Sequence, residues 1–165
     1  LNIDNPKLNC RLKGFENFSP RRIILDKNLE IKLNSYIFKS ANKNNTIIFH
    51  NSSNNRKIKI LKRKGITLIK FKVDNKKLFN LKTILKKLFV LGVRNLLVEG
   101  GDKITKNLIQ NRLIDKFYLF KSPKNLLISK EHMKFTSFDT LNSKYKIKSR
   151  ISPKLAKDNI TIYKR

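Results

Sequence analysis

Asn95-Leu96-Leu97-Val98-Glu99-Gly100-Gly101-Asp102-Lys103-Ile104-Thr105-Lys106 decides how this sequence is read. The nearly continuous apolar run from Asn95 to Glu99 predicts a buried parallel strand. The two glycines directly after it turn the chain into a helix running through Leu108, Ile109 and Leu113. Strand, glycine turn and helix form a geometry suited to nucleotides. The glycines let the backbone come close to a ligand, and the helix start aims free amide N–H groups and its dipole at a phosphate. Lys103 and Lys106 would reinforce that field. Glu99 falls at the carboxyl end of the strand, where open α/β sheets bind ligands. The same pattern also fits a plain tight connection, with Glu99 capping the helix or pairing with a lysine.

Working outward, Asn80 or Asn75 caps a helix reaching to about Leu91, with Leu81, Ile84, Leu85, Leu88 and Phe89 at helical spacing, and Gly92 closes it. One face of that helix is expected to pack on a sheet. Further upstream, β-rich runs occur at Arg22–Asp26, Thr46–Phe49, Ile58–Leu61 and Thr67–Phe71, the first two with the look of buried parallel strands. Asn42–Asn45 and Asn51–Asn55 read as loops between them. Downstream come a strand at Lys116–Phe120, a loop containing Pro123, and late strands around Tyr145–Ile151 and Asn159–Tyr163. Ser152-Pro153 to Asp158 connects these last two. An antiparallel C-terminal hairpin added to a mostly parallel sheet places the chain in the α/β class. Its 165 residues suit one domain.

Hydrophobic residues make up 39% of the chain, enough to build a core, and no apolar run approaches the length needed to cross a bilayer. The first residues lack the pattern of a signal peptide, so a soluble protein is expected. The chain starts on Leu1, as a piece of something longer would. A single cysteine, Cys10, excludes an internal disulfide and any multi-cysteine zinc site, which suits the cytoplasm, and a packed thiol is its expected role. His50 and His132 stand alone and read as surface or loop residues. No His-x-Glu followed by Pro-Cys-x-x-Cys occurs, so zinc deaminase chemistry does not reside in these residues.

The formal net charge of +28, from 39 Lys and Arg against 11 Asp and Glu, taken alone points to a phosphate-rich partner such as nucleic acid. Yet 30 of those cations are Lys, scattered through every segment of a chain with only two Ala, a pattern of biased nucleotide composition. A dedicated nucleic-acid surface would more often cluster its cations on one face among stacking aromatics. A smaller anionic ligand gains from the same field. Near the start, Asp4-Asn5-Pro6-Lys7-Leu8-Asn9-Cys10-Arg11 begins with a turn former, and Arg11 is either a bidentate fork for a phosphate or one more solvated cation.

Together and in this order, four stretches resemble the C-terminal reductase domain of the bifunctional deaminase-reductase of riboflavin biosynthesis, a relative of dihydrofolate reductase. They are Leu1–Arg11, Pro20–Asp26, Leu97–Gly101, and Leu113–Phe117 running into Ser122-Pro123-Lys124. The resemblance implies a dihydrofolate-reductase-like sheet flanked by helices, with NADPH at the strand ends. It implies that Asp4 contacts the cofactor and that Leu8 and Arg11 approach a phosphorylated pyrimidine substrate. Glu99 would touch the substrate and assist catalysis, while Gly101, Asp102, Lys103, Ile104, Thr105, Lys106 and Asn107 wrap NADPH. The implied reaction is hydride transfer from NADPH to C1′ of the ribose of 5-amino-6-(5-phosphoribosylamino)uracil, opening it to the ribitylamino product. A homodimer and a fused zinc deaminase domain in the parent chain are further expectations of the resemblance.

Two departures stand out. The family's first strand and helix, with a Lys-x-Ala-x-Ser-Leu-Asp-Gly motif and a Trp near the nicotinamide, have no counterpart here, and the chain has no Trp. It is therefore expected to be a shortened reductase domain with an incomplete site. Lys27 also follows Asp26 where many relatives carry Ser near the cofactor's phosphate. Two other readings stay open: a reductase of the same fold acting on another pterin or pyrimidine, and a non-catalytic basic nucleic-acid-binding protein.

Overall fold

The computed structural model describes residues 4–122, 135–151 and 159–165. The chain divides into two compact units, Leu1–Phe79 and Asn80–Arg165.

The first unit is a three-stranded parallel sheet. Strand β1 (Arg22–Leu25) leads through helix α1 (Tyr36–Lys39) to β2 (Thr46–His50), and β2 leads through α2 (Asn55–Arg63) to β3 (Thr67–Lys70). The order is β1-β2-β3, with Ile24 opposite Ile48 and Ile48 opposite Leu68. Every residue of β2 is buried, as expected of a central parallel strand covered on both faces. Ile24, Leu29, Ile31, Ile37, Ala41, Ile48, Leu61 and Ile66 form the core, and Leu8, Phe38, Ile58 and Leu68 pack against it.

Ile58–Leu61, read from the sequence as a strand, is instead the middle of α2. Its ends explain why. The Asn54 side chain accepts from Lys57 N at 3.0 Å as an N-cap. At the other end Gly65 takes φ +87°, with Gly65 N donating to Lys62 O and Ile66 N to Leu61 O. Ile58 and Leu61, three apart, share the face toward the core, so the short apolar run satisfies a helix as well as it would a strand.

Arg22 opens β1 from a buried position. Its guanidinium donates to Thr46 Oγ1 (3.1 Å), Ser40 Oγ (2.7 Å), Ser40 O (3.1 Å) and Asn45 Oδ1 (3.0 Å). All four acceptors are neutral, so the fork ties β1, β2 and the end of α1 together by hydrogen bonds rather than by an ion pair. Burial lowers its pKa from the ordinary arginine value, opposed in part by Tyr36.

The second unit holds α3 (Leu81–Val90), α4 (Asp102–Gln110), β4 (Lys116–Lys121), α5 (Phe138–Lys144), β5 (Ile147–Ile151) and β6 (Asn159–Lys164). The strands pair antiparallel in the order β4-β6-β5, with Phe117 opposite Tyr163 and Ser149 opposite Ile162. The late hairpin is therefore present, and β4 joins it to make an antiparallel three-stranded sheet. Ile109, Leu141, Tyr145 and Tyr163 form its core, with Ile114, Phe117 and Leu119 packed on it. Helix α3 starts as expected: Asn80 accepts from Thr83 N at 3.1 Å, and Gly92 closes the far end at φ +84°. Leu81, Ile84 and Leu88 are buried, but Phe89 is exposed under the Arg94 guanidinium, 4.2 Å from its ring centre.

The expected strand at Asn95–Glu99 is not formed. Residues 93–100 carry no regular structure, no strand among the described residues pairs with them, and Leu97 is 81% exposed. An apolar run becomes a strand only where a neighbouring backbone supplies a ladder of hydrogen bonds, and hydrophobic pattern alone does not encode that neighbour. The Pro123 loop, the Ser152–Asp158 connection and His132 lie outside the described residues.

Candidate functional site

The glycine turn does open a helix. Gly101 is the N-cap of α4 with no side-chain cap, and its carbonyl accepts from Ile104 N (3.1 Å) and Thr105 N (3.2 Å). The N–H groups of Asp102 and Lys103, one turn too early for intrahelical partners, head the helix. A Cβ added at Gly100 would meet Ile104 Cβ and Cγ2 at 3.3 Å, so the turn is pressed onto the first turn of the helix. Lys103 and Lys106 are exposed, while Ile104, Thr105 and Asn107 are partly buried. Asn107 Oδ1 accepts from Asn111 Nδ2 at 3.2 Å.

The Asp102 carboxylate works within the protein. It accepts from Thr136 Oγ1 (2.7 Å), Thr136 N (3.1 Å) and, at 3.5 Å, the buried Ser137 Oγ, fastening the head of α4 to the residues that start α5. The Thr136 hydroxyl and amide hold its pKa below the usual carboxylate value, with Lys106 and Ser137 adding to them. Glu99, just before the turn, is exposed.

In the first unit, Asp4, Leu8 and Arg11 lie along one segment held to α1. Asn5 Oδ1 accepts from Tyr36 N at 2.8 Å, Asn9 Nδ2 donates to Tyr36 Oη at 3.5 Å, and Lys7 Nζ lies 5.6 Å from the Tyr36 ring centre. Asn5 (φ +40°) and Leu8 (φ +49°) both adopt left-handed backbone. For Leu this conformation costs on the order of 1 kcal/mol and persists only where packing demands it. Leu8 packs against the core, whereas Asp4 and Arg11 are exposed. The predicted residues thus gather as two groups, 4–11 and 99–107, one in each unit.

Of the cleft at the carboxyl ends of the parallel strands, the sequence singles out Lys27 alone. Lys27, Asn28, Asn51, Val73 and Lys77 line this cleft of about 440 Å³, a size within the usual range of small-molecule sites. Two aspartate-pinned loops make its walls. After β1, the Asp26 oxygens accept from Glu30 N and Ile31 N, both at 2.8 Å. After β3, Asp74 Oδ1 accepts from Leu78 N at 2.8 Å, and an isolated bridge between Val73 and Phe79 closes the loop. Asn51 N donates to Lys27 O at 2.8 Å. The available signal was the pair of Asp residues at loop starts, each free to hold backbone amides a few residues on.

His50, expected on a surface or loop, is buried at the end of β2, which runs one residue further than its apolar run to pair with Lys70. Burial lowers its pKa below 6.5. Lys70 and Lys62 push the same way, while the Ser52 backbone and Asp26 oppose. A folded-state pKa below the unfolded one means that the unfolded chain binds the proton more readily. The contribution to stability is therefore complete above about 6.5 and is lost as pH falls through the folded value. Urea midpoints at pH 7.5 and pH 5 should show the wild type losing more stability on acidification than His50→Asn; equal losses would assign the effect elsewhere.

A parallel sheet with a basic cleft at its strand ends, and a glycine turn heading a helix, are the features of a nucleotide-binding α/β protein. A family model described as the RibD C-terminal domain matches residues 1–137, and the chain belongs to that family. The riboflavin biosynthesis protein RibD of Aquifex aeolicus is 34% identical over 121 residues, covering 73% of this chain and 32% of the relative. A protein of Debaryomyces hansenii named 2,5-diamino-6-ribosylamino-4(3H)-pyrimidinone 5′-phosphate reductase is 30% identical over 132 residues, 73% of this chain and 53% of the relative. The chain thus spans between about a third and about half of the length of these curated relatives. Acinetobacter baumannii RibD superposes with a TM-score of 0.72 at 20% identity, covering 98% of this chain and 43% of that one. A pyrimidine reductase-like protein of Corynebacterium diphtheriae gives 0.61 at 17% identity, covering 88% and 61%. These likenesses show the fold, a mixed α/β fold shared with RibD. No described helix is long and apolar enough to cross a membrane.

Proposed function

We propose that this chain is the reductase part of a riboflavin-pathway enzyme that uses NADPH to reduce the ribose of 5-amino-6-(5-phosphoribosylamino)uracil to its ribitylamino product. Family membership and the activity named for the yeast relative support the reaction class. The observation within the fold that favours a nucleotide cofactor is the cationic cleft at the strand ends, whose lining among the described residues includes two lysines and no carboxylate. That donor set suits a phosphorylated ligand.

NADPH, when bound, supplies the hydride; the protein supplies placement. In this reading Asp4 and Gly101–Asn107 contact the cofactor, with the Asp102 and Lys103 amides offered to a phosphate. The Asp102 carboxylate does not serve that purpose directly: engaged with Thr136 and Ser137, it positions the helix head. Arg11 pairs with the substrate phosphate and Leu8, pinned in its left-handed conformation, presents a fixed apolar contact. Glu99, exposed, orients the sugar or pyrimidine and accepts or returns a proton as the ring opens. A homodimer, a deaminase domain in the same polypeptide and a cytoplasmic location belong to the same reading.

The test follows NADPH oxidation on addition of the phosphoribosylamino-uracil, with the chain in its full parent protein. Glu99→Gln is expected to lower kcat by about 10²-fold or more, the usual scale for a general acid–base group. Unchanged turnover and affinity would remove Glu99 from the mechanism. Salt-sensitive RNA binding with no affinity for either nicotinamide nucleotide would replace the reductase by a basic binding module.

A further inference from the structure

We propose that Asn5 is a positioning residue of the reductase site: its carboxamide, bound to the first amide of α1, fixes the backbone from which Asp4, Leu8 and Arg11 reach their ligands. The proposal rests on the reading that residues 4–11 meet the cofactor and the substrate, and it adds a residue that this reading leaves without a role.

The segment has to be held from outside. Residues 4–11 lie in no helix or strand, so no ladder of backbone hydrogen bonds sets their path. Contacts near both ends and in the middle set it instead. Asn5 Oδ1 accepts from Tyr36 N at 2.8 Å across 31 residues of sequence. Leu8 packs against the core of the first unit. Cys10 N donates to Ser19 Oγ at 3.1 Å, and that hydroxyl donates to Glu16 O at 2.7 Å, which ties the far end to the short 3₁₀ turn at Glu16–Phe18. The 3.5 Å contact from Asn9 Nδ2 to Tyr36 Oη is long and adds less. Asp4 directly precedes the first of these pins and Arg11 directly follows the last, and both are exposed.

Asn5 combines two properties that an apolar residue lacks. It holds φ at +40°, in the left-handed region that Asn enters more readily than most residues with a side chain. Its oxygen also meets an amide that α1 cannot satisfy from within. Tyr36 is the first residue of that helix, and the capping Ser35 Oγ accepts from Phe38 N at 3.3 Å instead. The helix is in turn fastened to the sheet. Ser40 Oγ, at its end, donates to Tyr36 O at 2.7 Å and accepts from the Arg22 guanidinium of β1 at 2.7 Å. Asn5 therefore refers Asp4 and its neighbours to the parallel sheet through α1. Without that bond, the next pin along the chain is Leu8.

The test uses the full parent protein and three variants. Asn5→Ala removes the acceptor and strains the backbone, Asn5→Gly removes the acceptor and leaves φ at ease, and Asn5→Asp keeps an oxygen for Tyr36 N. Alanine and glycine are expected to weaken NADPH binding, measured by fluorescence titration, and to raise KM for the phosphoribosylamino-uracil, each by about fivefold or more with kcat within about twofold. Aspartate should stay within about twofold of wild type on every measure. Hydrogen exchange at the Tyr36 amide should quicken by about tenfold in the alanine and glycine variants and not in the aspartate one. A purely structural role would lower the folded fraction, and with it kcat, at unchanged KM and NADPH affinity. That outcome, or wild-type binding by the alanine and glycine variants, would overturn the proposal. A loss confined to alanine overturns it too, by assigning the effect to backbone strain. Asp4→Ala and Arg11→Ala, measured alongside, test the reading beneath. If they leave both ligands bound as in wild type, that reading fails and takes the proposal with it; if they weaken binding while Asn5→Ala and Asn5→Gly do not, the proposal alone fails.

Discussion

Alanine at Gly65 is expected to destabilise the first unit by about 3 kcal/mol, the sum of a left-handed backbone penalty near 1 kcal/mol and a steric term of similar or larger size. Gly65 sits at φ +87°, and a Cβ built there comes 2.8 Å from Lys43 N, 3.0 Å from Asn42 C and 3.3 Å from Lys43 Cα. These are backbone atoms and cannot swing aside like a side-chain end, so either the closing turn of α2 or the Asn42–Lys43 turn must move. Gly92 provides the control, since it has a similar φ of +84° with nothing within 4 Å of its added Cβ. Gly92→Ala should cost only about 1 kcal/mol. Hydrogen exchange of the β2 amides for Gly65→Ala and of the α3 amides for Gly92→Ala, with urea unfolding by circular dichroism, measures the two costs; equal costs at the two sites would show that the turn yields freely.

Arg22→Ala is the second large effect, expected at about 3 kcal/mol. The substitution leaves buried or half-buried oxygens of Thr46, Ser40 and Asn45 without their donors and opens a void under β1. Some loss is recovered locally, because Asn45 Oδ1 also accepts from Asn42 N and Ser40 O from Asn45 Nδ2. Arg22→Lys tests the cause: one ammonium keeps the charge but cannot reproduce the fork to three residues, so it should restore less than half of the stability. Full rescue by lysine would mean that charge, not geometry, holds this corner. Urea midpoints of the three proteins decide it.

Both effects arise where short sequence signals meet distant ones. Gly65 drew no reading from the sequence, and nothing near it in the chain tells of its closeness to Lys43. Arg22 stood in a recognisable strand run, yet nothing local reveals that it would be buried among neutral acceptors. The same division runs through the site. The turn at Gly100-Gly101 and the helix after it were legible, because a strand-like run, two glycines and helical spacing are neighbours in sequence. The cleft was not, because it joins Lys27 to Lys77 across fifty residues.

Sequence alone determined the elements whose chemistry is local: the Asn80 cap and Gly92 stop of α3, the first two parallel strands, the helix after the glycine pair, the antiparallel late strands, and the four stretches that carry the family likeness. Tertiary structure decided the rest. It made Ile58–Leu61 a helix by turning Ile58 and Leu61 to the core. It buried His50 by extending β2, and it left Leu96–Val98 exposed because no described strand pairs with them. Caps and turns act over a few residues, so they are written where they act. Strand pairing, burial and cleft formation depend on which distant backbone arrives alongside, and hydrophobic pattern records only that some partner is wanted.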